Sequence, residues 1–198
     1  MVGLVVFTLL AQAFVNGGQV VSFDDNVSRW VAEHVPTGVE WVARVFTWLG
    51  GAVGTVVVAG GAVGVLWRAS RRADAQFVVL AVLGITALVA ALKAIYERAR
   101  PDLGSAIPLP HSYSFPSGHA ATAVVLYGAL GVLAAERVRS RRRAAGWLAA
   151  AAVVAFAIGT SRILLNVHFV SDVAAGFAVG LAWLGCCLIA RDALSHRS

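Results

Sequence analysis

The chain has 198 residues, 59% of them hydrophobic and only 13% charged, with a mean hydropathy of +0.79. A soluble domain of this size needs a polar shell that such a composition does not supply, so a water-soluble globule is excluded. The net charge of +6 does not point to nucleic acid, because the arginines sit at the ends of apolar runs and form no basic face interleaved with exposed aromatics.

Lipid requires every backbone polar group to be satisfied within its own segment, so the apolar runs read as helices. The expected fold is an all-α, polytopic membrane bundle of six transmembrane helices, one domain covering residues 1–198. The first run, Val2 to Val15, extends through Gly17-Gly18 to Val21 and is short for a span. Ala11-Gln12-Ala13 has the form of a signal-peptidase site, but no basic residues precede it. A first transmembrane helix is therefore expected in place of a cleaved signal, with the question whether it is complete at Met1.

Ser22 to Gly38 is polar, and its apolar members Val27, Trp30, Val31 and Val35 have helical spacing, which predicts a short helix on the membrane surface. A second span is expected from about Glu40 to Trp67. It carries Gly50/Gly54 and Gly60/Gly64, the small-residue spacing that lets helix backbones approach in lipid. The third span covers about Gln76 to Tyr96 and leads into a loop with four of the five prolines, Pro101, Pro108, Pro110 and Pro116. Further spans are expected from Ser117 to Ala135, Ala145 to Leu165 and Phe169 to Ala190. Cys186 and Cys187 are neighbours inside the last and read as small packing residues, neither bridged nor metal-bound.

Residues 68–72, residues 137–143 and the tail with Arg191 and Arg197 hold ten of the sixteen basic residues. The positive-inside rule places these in the cytoplasm, with both termini. Trp67 and Trp147 then fall at the inner boundary and Trp41 at the outer one.

Three polar islands emerge together on the opposite, extracytoplasmic face. His168 and Asp172 are spaced i, i+4, so both side chains share one helix face. Asp172 is placed to hold one imidazole nitrogen and leave the other as a nucleophile, a histidine that attacks phosphorus. Pro116-Ser117-Gly118-His119 lies where loop becomes helix; its free N–H groups suit an anion, and His119 is placed to protonate a leaving group. Lys93, which is the one lysine in the chain, Arg100 and Arg162 supply cations for the oxygens of a phosphoryl group. Each island alone has a plainer reading: a structural His-Asp pair, a helix cap, a lysine that snorkels to the interface. Glu97, Arg98, Asp102, His111 and Tyr113 read as solvated loop residues, and Asn166 as a neighbour supporting the site.

Taken in order, Lys93 with Arg100-Pro101, Pro116 to His119, and Ser161-Arg162 with His168 and Asp172 resemble the three-part signature K-x6-R-P, P-S-G-H, S-R-x5-H-x3-D of the type-2 phosphatidic acid phosphatase superfamily. Phe115, Ser171 and Gly176 add to the likeness. The resemblance implies a membrane phosphatase that needs no metal or other cofactor. In it the residue matching His168 attacks phosphorus, that matching Asp172 orients it, and that matching His119 protonates the leaving oxygen. Those matching Lys93, Arg100, Ser117, Gly118 and Arg162 hold the phosphate.

The expected function is hydrolysis of a lipid phosphate or diphosphate (undecaprenyl pyrophosphate, phosphatidic acid or phosphatidylglycerophosphate) at the outer face of the plasma membrane. The expected partners are that lipid substrate and membrane lipids, with no nucleic acid and with the oligomeric state open. The alternative is a protein that binds or transports an anion or lipid phosphate without turnover.

Overall fold

A computed structural model describes residues 2–109 and 111–195; Pro110 of the proline-rich loop and Arg197 of the basic tail lie outside them. The described residues form eight α-helices and no strand: α1 (Val2–Val15), α2 (Gln19–His34), α3 (Thr37–Gly50), α4 (Ala52–Arg68), α5 (Arg72–Tyr96), α6 (Gly118–Ala135), α7 (Arg141–Leu164) and α8 (Val170–Ser195). The last four are each long and apolar enough to cross a membrane. The two bent pairs, α1 with α2 and α3 with α4, bring the possible number of crossings to six. The chain is a multi-pass, all-helical membrane protein.

Two expectations about the N-terminal half change. The first run does not continue to Val21: Gly17 (φ 70°) and Gly18 (φ 87°) adopt backbone that other residues rarely tolerate, and the chain turns by 85° into α2. The second span is not one helix either. It breaks at Gly50-Gly51 with a bend of 52°, where glycine lets the backbone leave the helical ladder. A Cβ on Gly50 would lie 2.3 Å from Ile158 of α7, so this glycine allows the close approach its spacing suggested. At Gly60 and Gly64 nothing among the described residues lies within 4 Å of a Cβ, so their spacing marks no close approach there. Of the remaining spans α6 matches to within a residue; α5 and α7 each begin four residues earlier, taking Arg72 and Arg141 into their first turns, and α8 runs five residues further, to Ser195.

The bundle is organised around α6. Half of its apolar window is buried, against 22% in α5, and its interior positions are mostly Ala, Val and Gly, which allow α5, α7 and α8 to close round it. Ile85, Val125, Leu126, Ala129 and Ala175 form the main core. Near the N-terminus of α6, Phe115 is fully buried and stacks on Phe14 and packs against Phe7 and Tyr96, locking α1 to the proline-rich loop. Cys186 and Cys187 are unbridged. At the opposite end, Arg191 of α8 bonds Asp74 of α5 (2.9 Å) and Glu136 after α6 (2.8 Å), tying three helices together. Asp172 and Arg191 lie at the two ends of α8, about 28 Å apart at 1.5 Å per residue.

Candidate functional site

The site forms where α5, α6, α7 and α8 reach the same end of the bundle. α7 stops after Leu164, and the short turn to α8 contains Asn166 at a positive φ of 51° and the buried His168. Asn166 is held there by Ser28 of α2, whose hydroxyl donates to its side-chain oxygen (2.7 Å), and by its own bond to the Leu103 carbonyl. It therefore fixes the turn that carries His168, as a supporting neighbour should.

His168 Nδ1 lies 3.3 Å from Asp172 Oδ2 and 3.2 Å from Ser114 Oγ. Its Nε2 lies 3.1 Å from Arg100 Nη1. A guanidinium only donates, so Nε2 is the accepting, unprotonated nitrogen, and the proton sits on Nδ1, facing Asp172. That is the tautomer a nucleophile needs. Burial pushes the imidazole pKa down to about 4, although the carboxylate beside it pulls the other way. The ring therefore stays neutral, with its lone pair available, throughout the physiological range.

Asp172 is fully buried at the first turn of α8. Its Oδ2 accepts from Ser114 Oγ, from His168 Nδ1 and from the Phe169 N–H (2.9 Å), and its Oδ1 from Arg98 (2.7 Å). A carboxylate held by this many donors stays ionised and fixed in place.

Arg100 is anchored by the Ser112 carbonyl (2.8 Å) and the Val167 carbonyl (2.7 Å), which aim its fork at the histidine. Lys93 is bonded to the loop before α6. Its ammonium turns onto the carbonyls of Tyr113 and Ser114 (3.3 Å to the latter) and so holds the loop that delivers Ser114 and the start of α6. Arg162, buried in the last turn of α7, bonds the hydroxyl of Thr47 near the end of α3.

Ser117 occupies the N-cap position of α6, but its hydroxyl makes no capping bond. Instead its backbone N–H donates to the Asp172 carbonyl (2.9 Å), tying the second island to the third. Gly176 makes this possible: a Cβ there would stand 2.6 Å from the Ser117 carbonyl. Ser117 Oγ and Arg162 Nε are both buried without a hydrogen-bond partner in the protein. Buried donors are rarely left so, and two of them among clustered cations suit a multi-oxygen anion. His119, one residue into α6, sits beside the α3–α4 break, where a Cβ on Gly51 would be 3.6 Å from its Nε2. The described residues include no group of three or more His, Cys, Asp or Glu able to hold a metal ion. The cations that gather here would oppose one.

All eight residues expected at the site thus lie at one end of the bundle. Sequence reasoning misses three others. Arg98, read as a solvated loop residue, is buried and paired with Asp172 and Asp24, because α2 folds over the loop and removes it from water. Asp24, expected on a surface helix, is buried as well. Ser114 carries no motif that would single it out. The available signal for Asp24 is its spacing with Ser28 and Val31, which share one face of α2 and are all buried. Glu97, Asp102, His111 and Tyr113 are exposed, as expected of solvated loop residues.

The sequence model of the PAP2 superfamily matches residues 74–195. Phosphatidylglycerophosphatase B of Bacillus subtilis is 39% identical over 94 residues, 46% of this chain and 44% of that protein, so the match spans less than half of that curated relative. Among solved structures, a transmembrane PAP2-type phosphatidylglycerolphosphate phosphatase from Bacillus subtilis superposes with a TM-score of 0.83 at 26% identity, covering 94% of this chain and 92% of that one. Aquifex aeolicus LpxE superposes with a TM-score of 0.66 at 26% identity, covering 82% and 93%.

Proposed function

We propose, from the premise that the chain belongs to the PAP2 superfamily, that it is a membrane enzyme removing phosphate from an amphiphilic lipid. The observation that carries this reading is the neutral, lone-pair-bearing Nε2 of a buried histidine, beside Arg100 and among the unpartnered donors of Ser117 and Arg162.

The chemistry follows from the atoms. A lipid phosphate enters with its oxygens against Lys93, Arg100, Arg162, the Ser117 hydroxyl and the free N–H groups at the start of α6 around Gly118. His168 Nε2 attacks phosphorus as the bond to the lipid oxygen breaks, and Asp172 stabilises the positive charge that develops on the ring. His119, protonated when the anionic substrate binds, donates that proton to the departing alkoxide and is left neutral. A water molecule, deprotonated by His119, then attacks the phosphohistidine; free phosphate leaves and His168 returns to its starting form. The fixed cations stabilise charge on the equatorial oxygens in both steps.

Where the site faces follows from charge. The basic loops and Arg191 occupy the other end of the bundle, which supports a site on the extracytoplasmic side of the plasma membrane and cytoplasmic termini under the positive-inside rule. The curated Bacillus subtilis protein and the solved Bacillus subtilis structure both carry the name of a phosphatidylglycerophosphate phosphatase, which supports that lipid as the first candidate substrate. The test is phosphate release by detergent-purified protein supplied in turn with phosphatidylglycerophosphate, phosphatidic acid, undecaprenyl pyrophosphate and a soluble phosphate ester. Release from a lipid that disappears in His168→Ala supports the enzyme. Binding without release from any of them would favour an anion-binding or transport role.

A further inference from the structure

Behind the nucleophile lies a buried charge chain that the phosphate site itself does not use. Arg98 Nη1 donates to Asp172 Oδ1 (2.7 Å) and to Ser171 Oγ (2.6 Å), while its Nη2 donates to Asp24 Oδ2 (2.8 Å). Asp24 is gripped in turn by the Ser171 N–H (3.0 Å) and the Ser171 hydroxyl. The guanidinium is clamped between the rings of Phe14 (4.5 Å) and Phe169 (4.3 Å). Arg98, Asp24 and Asp172 are all buried, with 5% of the arginine side chain exposed and none of either carboxylate.

Such an arrangement is costly to desolvate, and a surface helix has cheaper ways to dock. Its geometry has a specific consequence for catalysis. Arg98 occupies Oδ1 of Asp172, leaving Oδ2 to face His168. That fixes which oxygen meets the ring, but it also sets a full positive charge against the carboxylate that must stabilise an imidazolium-like His168. Asp24, on the far side of Arg98, offsets that charge. The sequence of charges running toward the ring is minus, plus, minus, and the ring itself becomes positive as phosphorus is attacked.

We infer that Asp24 and Arg98 are positioning residues for the reaction, holding Asp172 in register with His168 and keeping its negative charge effective. This inference rests on the proposed phosphatase function. It assigns a role to α2, which lies outside the matched residues 74–195, and explains why that helix buries Asp24 and Ser28 while Trp30 and Phe23 stay exposed.

The experiment measures lipid-phosphate turnover and inhibition by inorganic phosphate in purified wild-type protein, Asp24→Asn, Asp172→Asn and the double variant. Removing a partner that orients a reacting group costs on the order of 10–100-fold in activity. Asp24→Asn is expected to lose that much in kcat. KM and the inhibition constant of inorganic phosphate should stay within about threefold, because the phosphate-binding groups are untouched. In the Asp172→Asn background it should lose nothing more, since Asp24 acts only through Asp172. If Asp24→Asn cannot be purified folded, Arg98→Lys carries the same readouts. It keeps the charge but cannot bridge two carboxylates with a fork. Unchanged kcat in Asp24→Asn, a parallel loss of phosphate affinity, or additive losses in the double variant would overturn the inference while leaving the phosphatase reading intact. A wild-type protein that releases no phosphate from any lipid would overturn both.

Discussion

His168 Nε2 lies 3.1 Å from Arg100 Nη1, and this contact decides the state of the ring. Because the arginine can only donate, it selects the tautomer with its lone pair toward the phosphate site. Replacing Arg100 by Lys keeps a positive charge but loses the fork that holds both the Ser112 and Val167 carbonyls. Arg100→Lys is expected to lower kcat/KM by roughly 10²-fold, within the range for loss of a charged transition-state donor. Steady-state kinetics on the purified variant check this.

Asp172→Asn keeps the shape of the pair and removes the charge that holds Nδ1–H. The same change in a serine-protease triad lowers kcat by about 10⁴-fold, and a loss of that order is expected here. Ser114→Ala removes one of several donors to the same carboxylate and should cost about tenfold, an effect near that of one hydrogen bond to a charged group. Comparing kcat across the two variants separates them.

The pH dependence follows from burial of His168. A free histidine titrates near 6.5; here the folded value is depressed to about 4. The active, neutral form therefore persists as pH falls through the free value and is lost only near 4. The acidic limb of kcat/KM, corrected for ionisation of the substrate, should bend near that lower value. A bend at the ordinary histidine pKa would show that the ring is not shielded in this way. Stability has the same sign: between the two values the unfolded chain binds the extra proton, so this group's contribution falls as pH drops through that window.

Gly176→Ala places a Cβ 2.6 Å from the Ser117 carbonyl. The contact is with backbone, so α8 must move away from the start of α6, breaking the bond from the Ser117 N–H to the Asp172 carbonyl. Overpacking of this kind costs about 1–3 kcal/mol. A lower Tm in detergent is expected together with loss of activity, measured by thermal unfolding and phosphate release.

Activity should survive excess EDTA. Lys93, Arg100 and Arg162 supply the charge that a divalent ion would bring to phosphoryl transfer. Phosphate release measured with EDTA, and again after added magnesium, checks this; loss that magnesium restores would contradict it.

The spans and the three islands are legible in the sequence because both depend on local pattern. Apolar runs set the lengths of α5 to α8, and the spacing of His168 with Asp172 sets a shared helix face. What escapes is long-range. The breaks at Gly17-Gly18 and Gly50-Gly51 sit inside apolar runs, where hydropathy alone cannot see them. The burial of Arg98 depends on α2 folding over a loop that lies 74 residues away, and a charged residue beside Pro101 looks solvated until that helix is in place. Lys93 is legible as a cation at this end of the bundle, but its turn onto the carbonyls of residues 113–114 depends on the loop conformation.

The most direct test is to trap the intermediate. Purified protein is mixed with a lipid labelled with ³²P in its phosphate, quenched within milliseconds in base, digested and mapped by mass spectrometry. A phosphohistidine mechanism predicts base-stable, acid-labile label on the peptide containing His168, absent from His168→Ala. Turnover of the same lipid with no label on that peptide in any variant, or wild-type turnover by His168→Ala, would contradict it.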